Sequence, residues 1–452
     1  MPRPRVAWFT PLPPVESGIS LYSQEILPIL SQVMRIDVIV DGYTPIVRPA
    51  SETLGIVDHR RFDPDMYELI VYQVGNSPAH RYMLPEMYRN PGLLVLHDTM
   101  LNHLMIQDAV HRRDLLGYRE EMERRYGGDG RRAAERVLTG QSPDDLFRFP
   151  MSEPLIEASR ATIVHSDFAR QQVRSWAPDA VVERVPLGLK LPELLDRLRA
   201  RQILGIPEDQ FLLASVSHIN PHKRIDVVLR ALKSLRRSIP ARLILAGSVS
   251  PQFPLARMVN HLDLDQVVDT PGYVTDAEAR LIAAAADVIV SLRYPTAGET
   301  SASLLHSMAA GRPVLVSQTG SFTEAPADAT VRIPVDALEE QTLTAVLKRL
   351  ATDNTLRDSI GERARSFVEE EHSLRRWTDG YLYVMSRLTG ISVDSPEIDE
   401  TPEPVDRRLD PTETAVADPL TESLARDVAE LGLGGDEDLL LSLARSRVEL
   451  GI

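Results

Sequence analysis

The chain has no cysteine among its 452 residues, which excludes disulfides and thiolate metal sites. It is also poor in lysine, with Lys190, Lys223, Lys233 and Lys348 alone, although arginine is plentiful. A single well-placed ammonium group therefore stands out. No apolar run approaches the roughly 18–20 residues that a membrane span needs. The N-terminus MPRPRVAWFTPLPP carries an early proline and only a short apolar run, which is not the pattern of a signal peptide. Positive charge is in deficit, with 50 Lys+Arg against 65 Asp+Glu and a net charge of −15. Such a balance repels nucleic acid and anionic membrane alike, leaving only a local basic face for peripheral membrane contact. These absences read together as a cytoplasmic protein.

What is present is enough for real cores. A hydrophobic content of 43% over this length implies two or three domains. Short Val/Ile/Leu-rich runs without alternation predict strands covered on both faces, at Arg5 to Phe9, Ile36 to Val40, Leu69 to Tyr72, Leu93 to Leu96 and Thr162 to His165. A second series predicts strands at Leu212 to Ser217, Arg242 to Ala246, Asp287 to Leu292, Val314 to Ser317 and Thr330 to Ile333. Helical patterns fill the gaps, among them Ile225 to Arg236 and Asp276 to Ala285. The fold class is α/β, with two Rossmann-like halves facing across a cleft.

The divisions follow from composition. Residues 1–190 form the first half, with a charged helical insertion over 102–140 read as a solvated pair. Residues 191–372 form the second, and a helix over 373–390 with Trp377, Tyr381 and Tyr383 closes the globular part. Residues 391–418 read as an acidic disordered linker; Ser392 to Ala417 holds eight acidic residues, two arginines and four prolines. Within 419–452, Leu420, Leu424, Val428 and Leu431, then Leu439, Leu440, Leu443 and Val448, recur at helical spacing. Two short helices bury little alone, so this hairpin is expected to dock on the body, on a second copy or on a protein partner.

The chemistry concentrates in RYPTAGETSASLLHSMAAGRPVLVSQTGSFTEAP, Arg293 to Pro326. Two strand-turn-helix corners in quick succession aim backbone N–H groups and helix N-termini at one spot, an arrangement suited to phosphate. Thr300 and Ser301 offer the amides, and Glu299 adds a carboxylate for sugar hydroxyls. Upstream, SVSHINPHKRID ends a strand in a basic turn holding Lys223 and His218. LILAGSV and TPGYVTDAE place Gly247, and then Gly272, Tyr273 and Val274, at strand ends. In the first half, PLPPVESGIS sets Gly18 in a turn before a helix. LLVLHDTM places His97 and Asp98 directly after a buried strand, while Asn76, His80 and His165 follow others.

Over Val6 to Leu388 the chain resembles the family-4 retaining glycosyltransferases of the GT-B fold, also called glycosyl transferases group 1. The resemblance implies transfer of a hexose from a nucleotide diphosphate sugar, UDP- or GDP-linked, to a saccharide, lipid-linked or other hydroxyl acceptor, with no metal and no further cofactor. It implies that Gly18, His218 and Lys223 lie by the donor diphosphate and that Gly247, Tyr273 and Val274 line the nucleobase pocket. Glu299, Thr300, Ser301 and Glu324 would meet the nucleotide or its sugar, and His97 and Asp98 the reacting side. Asn76, His80 and His165 are read as acceptor contacts. Gly247 and Gly18 are equally readable as ordinary turn glycines. One departure is plain: His306 stands where the family carries a second glutamate, credited there with holding the ribose. That departure leaves a second reading, a catalytically impaired nucleotide-sugar-binding or partner-organising protein.

Overall fold

The computed structural model describes residues 3–15, 17–46 and 53–403. The hairpin expected over 419–452 lies outside the described residues, as does most of the expected linker.

Thirteen strands among the described residues build two all-parallel sheets. The first holds β1 (Arg5–Phe9), β2 (Arg35–Val40), β3 (Leu54–Asp58), β4 (Leu69–Val74), β5 (Leu93–Leu96), β6 (Ala161–Val164) and β7 (Val182–Arg184), in the order 3-2-1-4-5-6-7. The second holds β8 (Phe211–Val216), β9 (Ala241–Ala246), β10 (Val268–Gly272), β11 (Val288–Ser291), β12 (Val314–Ser317) and β13 (Val331–Ile333), in the order 10-9-8-11-12-13. In each sheet the chain reverses its winding beside the first strand, at β1/β4 and at β8/β11. Ligand crevices in open α/β sheets form at such points, beyond the carboxyl ends of the strands.

The interior strands match the sequence reading to within a residue or two at each end. Those it lacked, β3, β7 and β10, all lie at sheet edges. Edge strands are half-exposed and tolerate proline, as Pro271 in β10 illustrates, so no apolar run marks them.

The insertion departs from its expected form. Helices Asn102–Arg112 and Leu115–Leu138, the second broken at Gly127, enclose a small core of their own. Ile106, Tyr118, Met122, Ala133 and Ala134 are buried in it with Phe149 and Met151. The charged residues form its rim, and the pair is packed instead of merely solvated.

The helix Leu374–Thr389 crosses back onto the first half. Trp377 and Tyr381 are fully buried there. Trp377 Nε1 donates to the Tyr22 hydroxyl at 3.0 Å, the Tyr22 and Tyr381 hydroxyls share a short bond, and Gln73 Nε2 donates to Tyr381 at 3.2 Å. The segment after it corrects the linker assignment in part. Residues 391–403 run along the body, with Lys190 bonded to Asp399 at 2.8 Å, Glu397 N donating to Gln32 at 3.0 Å and Glu403 N donating to Leu191 O at 2.8 Å. The acidic side chains pair with donors of the body: Asp399 with Lys190, Glu400 with Arg375 N at 3.1 Å and Glu403 with Arg280.

Truncating Trp377 would leave a large cavity and take from the Tyr22 hydroxyl one of its two partners, Tyr381 remaining. Trp377→Ala should destabilise the folded chain by about 3–5 kcal/mol, read as a lowered urea midpoint. A loss under about 1 kcal/mol would mean that the crossover helix contributes little.

Candidate functional site

Four ionisable groups converge where the two sheets face one another. Lys223 comes from the turn after β8, Arg293 and Glu299 from the corner after β11, and Asp98 from the end of β5. The corner after β11 closes into the helix Ala302–Ala309, capped by Ser301, whose hydroxyl accepts from Leu304 N at 3.3 Å. The two turns of the second half are tied by Tyr294 N donating to His222 O at 2.8 Å.

Lys223 is 7% exposed. Among the described residues no carboxylate lies within ion-pair distance of its ammonium group. Burial pushes its pKa down to about 7, with Arg293 adding to the effect and Glu299 opposing it. Glu299 is spoken for: it pairs with Arg293 and accepts from Thr296 Oγ1 at 2.7 Å. Burial raises its pKa, but Arg293 and the hydrogen bonds outweigh burial and hold it below the usual carboxylate range. Thr300 Oγ1 is buried without a partner, a hydroxyl free to meet a ligand.

Across the seam, the two halves touch. Met100 N donates to Ala297 O at 2.9 Å and Thr99 Oγ1 to the same carbonyl at 3.2 Å. Gly298 has φ of +78°, and a Cβ there would lie 1.8 Å from Thr99 Oγ1, so only glycine permits this approach. Phe147 and His222 stack edge to face across the same seam, ring centroids 4.6 Å apart. Asp98 accepts from Asn76 N at 2.7 Å. Burial and then Glu299 push its pKa up to about 7.

His97 is held from behind. Its Nε2 meets Gln73 Oε1 at 2.7 Å, and Gln73 is anchored by Tyr381. With the carboxamide oxygen as acceptor, Nε2 carries the proton and Nδ1 is left as an acceptor. Burial and the neighbouring His165 and His80 hold the ring well below its usual pKa, hence neutral.

The other sequence candidates divide. Gly18 opens the helix Gly18–Leu30 with free space above it. Gly247 has φ of +146° and its hypothetical Cβ would meet Ser217 O at 2.1 Å, a backbone demand sufficient to explain it. Tyr273 is exposed and Val274 half-buried beside the edge strand β10. His218 has both ring nitrogens bonded, to Ser248 and Ser250 at 2.9 and 2.8 Å. Asn76 accepts from Leu104 N at 3.0 Å and so braces the insertion. His80 and His165 are buried, with Nδ1 bonded to Gln73 O and Val185 O, which does not suit direct acceptor contact. Glu324 lies elsewhere than expected: its carboxylate accepts from Asp167 N and Phe168 N at 3.1 and 2.5 Å, capping the helix Asp167–Trp176 of the opposite half. His306 is half-buried within the electrostatic reach of Asp276, Arg280 and Glu403.

Sequence reasoning gave no role to Arg293, Gln73 or Tyr22. Gln73 had a signal, a polar residue inside the apolar strand LIVYQV.

Residues 196–367 match the model for glycosyl transferases group 1. This segment, rather more than a third of the chain, is similar to the group 1 glycosyltransferases. Among curated relatives, a D-inositol 3-phosphate glycosyltransferase of Nocardioides sp. is 29% identical over 273 residues, covering 54% of this chain and 58% of that enzyme. An enzyme of the same name from Saccharomonospora viridis is 28% identical over 54% of this chain and 60% of its own length. The matches thus span under two-thirds of those relatives. Among solved structures, sucrose-phosphate synthase of Thermosynechococcus elongatus superposes with a TM-score of 0.65 at 15% identity, over 86% of this chain and all of its own. HepE of Anabaena, solved with UDP and glucose, gives 0.59 at 14% identity over 85% of this chain and all of its own. The architecture is GT-B, two Rossmann-like domains with the group 1 match in the second. Among the described residues no helix is long and apolar enough to cross a membrane.

Because folding raises the Asp98 pKa from an ordinary carboxyl value to about 7, the folded state binds more protons than the unfolded one between about pH 4 and 7. Native stability falls as pH rises through that window. Asp98→Asn, which never ionises, should therefore gain on the wild type by about 3 kcal/mol between pH 4.5 and pH 8. Equal urea midpoints at both pH values would contradict this ionisation.

Proposed function

We propose that the chain is a retaining hexosyltransferase that takes a nucleotide diphosphate sugar as donor and a hydroxyl compound as acceptor. The observation that carries the reading is Lys223: a buried ammonium with no carboxylate partner, placed at the strand ends beside the corner Gly298–Ser301. A buried charge without a partner costs free energy that an anionic ligand can recover. The diphosphate would fill that role, with the N-terminus of Ala302–Ala309 and the Thr300 hydroxyl as further donors.

Departure of the nucleoside diphosphate is the demanding step, and it is eased by positive charge and fixed dipoles preorganised where negative charge grows. Lys223 and the helix amides supply both, so the donor chemistry proposed here calls on no metal. Retention of configuration needs no strong base from the protein. A neutral His97 accepts a hydrogen bond from a donor-sugar hydroxyl through Nδ1. Asp98, near neutrality in its titration, holds the opposite edge of the sugar as donor or acceptor. The names of the relatives make D-inositol 3-phosphate the first acceptor to test, and saccharides and lipid-linked hydroxyls follow. The second reading, binding without turnover, draws on His306 in place of the second family glutamate.

The test is incubation with a panel of UDP- and GDP-sugars, with and without acceptor, followed by chromatography of the nucleotide. Release of free nucleoside diphosphate that survives EDTA supports the enzyme reading. Tight binding without release supports the second one. Lys223→Ala should lower kcat/KM by about 30- to 1,000-fold, the range for losing one preorganised electrostatic donor, while the fold is kept.

Lys223 also predicts a proton signature. At pH 8 an ammonium with a pKa near 7 is mostly neutral, and a bound diphosphate raises that pKa. UDP binding at pH 8 should take up close to one proton, measured by calorimetry in buffers of different ionisation enthalpy. Uptake unchanged in Lys223→Ala would show that another group titrates.

A further inference from the structure

The opposite end of the second sheet holds a group that the donor site does not use. Asp287 and Pro313 directly precede β11 and β12, so this region lies at the amino ends of the strands. The donor corner lies at their carboxyl ends, about 13 Å away along strands of this length. A cavity of about 150 Å³ opens here, lined by Arg197, Asp287, Arg312, Asn354, Arg357 and Asp358 with the Gly311–Pro313 turn.

Its charges are not paired one to one. Asp287 is shared by three guanidinium groups, Arg201 at 2.5 Å, Arg197 at 3.1 Å and Arg357 at 3.8 Å. It also accepts from Leu212 N at 2.8 Å, so its acceptor capacity is filled. Arg312 is a fourth guanidinium, half-buried, with its Nε buried and unpartnered. No carboxylate lies within ion-pair distance of it among the described residues. Asp358, the other acid of the lining, makes no ion pair among them either, and Asp196 caps the helix Arg197–Leu204 by accepting from Arg199 N at 2.9 Å. Arg201, Arg197, Arg357 and Arg312 thus stand near Asp287 and Asp358, with Asp196 also within electrostatic reach of Arg312, in a chain whose net charge is −15. The first turn of the 18-residue helix Asn354–Glu371, capped by Asp353 accepting from Leu356 N at 3.0 Å, supplies Asn354, Arg357 and Asp358 to the wall.

Guanidinium groups left unpaired in a polar pocket match the geometry of oxyanions, which accept from two N–H groups at once. We propose that this cavity is a second anion site, taking a small oxyanion of the phosphate class between Arg312 and the first turn of Asn354–Glu371. Bound there, the ion bridges the Gly311–Pro313 turn to that helix and relieves the repulsion among the arginines. Burial and then Arg197 lower the Arg312 pKa, against the opposing effect of Asp287, Asp358 and Asp196.

The experiment titrates the full chain with inorganic phosphate at constant ionic strength, using chloride as the reference salt, and follows binding heat and thermal midpoint. Lys223→Ala is included because phosphate should also enter the donor corner. The proposal expects Lys223→Ala to keep one saturable phosphate site and Arg312→Gln to weaken that site at least tenfold. It also expects Arg312→Gln to be no less stable than the wild type in phosphate-free buffer, since it removes a charge that had no partner. Phosphate binding within twofold of wild type in Arg312→Gln overturns the proposal. So does the absence of any saturable site in Lys223→Ala, or a marked loss of stability of Arg312→Gln without phosphate, which would make Arg312 a structural residue.

Discussion

The arrangement of the cleft depends on one close approach, that of Gly298 to Thr99. Because residue 298 has no side chain, the loop after β5 and the corner after β11 come together at backbone distance, joined by two hydrogen bonds to Ala297 O. Asp98 and Glu299 are the neighbours of those two residues in the chain, so the same approach brings two carboxylates into one buried region. They cannot both ionise freely there. Arg293 settles the question in favour of Glu299, which keeps its charge, and Asp98 becomes the carboxyl that titrates near neutrality. Glu324, reaching over to cap Asp167–Trp176, holds the same seam from its other side. The ionisation of the site is therefore a property of the closed cleft and not of either domain alone.

Burial acts on Lys223, Asp98, Glu299 and the histidines of the cleft in the same direction, toward neutrality, and the consequences differ by group. The three histidines after β4, β5 and β6 are held uncharged, so His97 offers a hydrogen bond and not a cation. Its tautomer is fixed through Gln73 by Tyr381, itself joined to Tyr22 and Trp377. The crossover helix thus does more than fill space on the first domain. It sets which nitrogen of His97 is open.

How far this was legible in the sequence follows from what each feature depends on. Interior strands declare themselves because both faces must be apolar, whereas β3, β7 and β10 meet solvent on one edge and carry no such run. The corner around Glu299 and the turn at Lys223 are local strand-turn-helix events, and their placement could be read directly. Glu324 could not, because its partner amides lie 156 and 157 residues away, in the opposite domain. His165 directly follows β6 and His80 lies in the turn Pro78–Met83 after β4, yet the sequence does not say which way such a side chain turns. Both turn inward. The linker differs for a related reason: acidic, proline-bearing sequence lacks a core of its own, but residues 391–403 bond to Lys190 and Gln32 as donors and to the Leu191 carbonyl as acceptor.

The scarcity of lysine acquires a physical meaning at this point. Arginine builds the frame: Arg201 on Asp287, Arg224 on Glu339 and Arg293 on Glu299 are buried or half-buried pairs with matched carboxylates. A planar guanidinium with several donors suits such fixed pairing, and it stays charged whatever its surroundings. An ammonium group is different, because burial can strip its proton. Where a cation must be present with ligand and inexpensive to bury without it, lysine serves and arginine does not. Lys223 meets that requirement, neutral when the cleft is empty at slightly alkaline pH and charged when an anion arrives. Arg312 lacks this recourse, since its guanidinium keeps its charge in any accessible pH, and that is why an unpaired arginine in a cavity points to an anion more strongly than an unpaired lysine would.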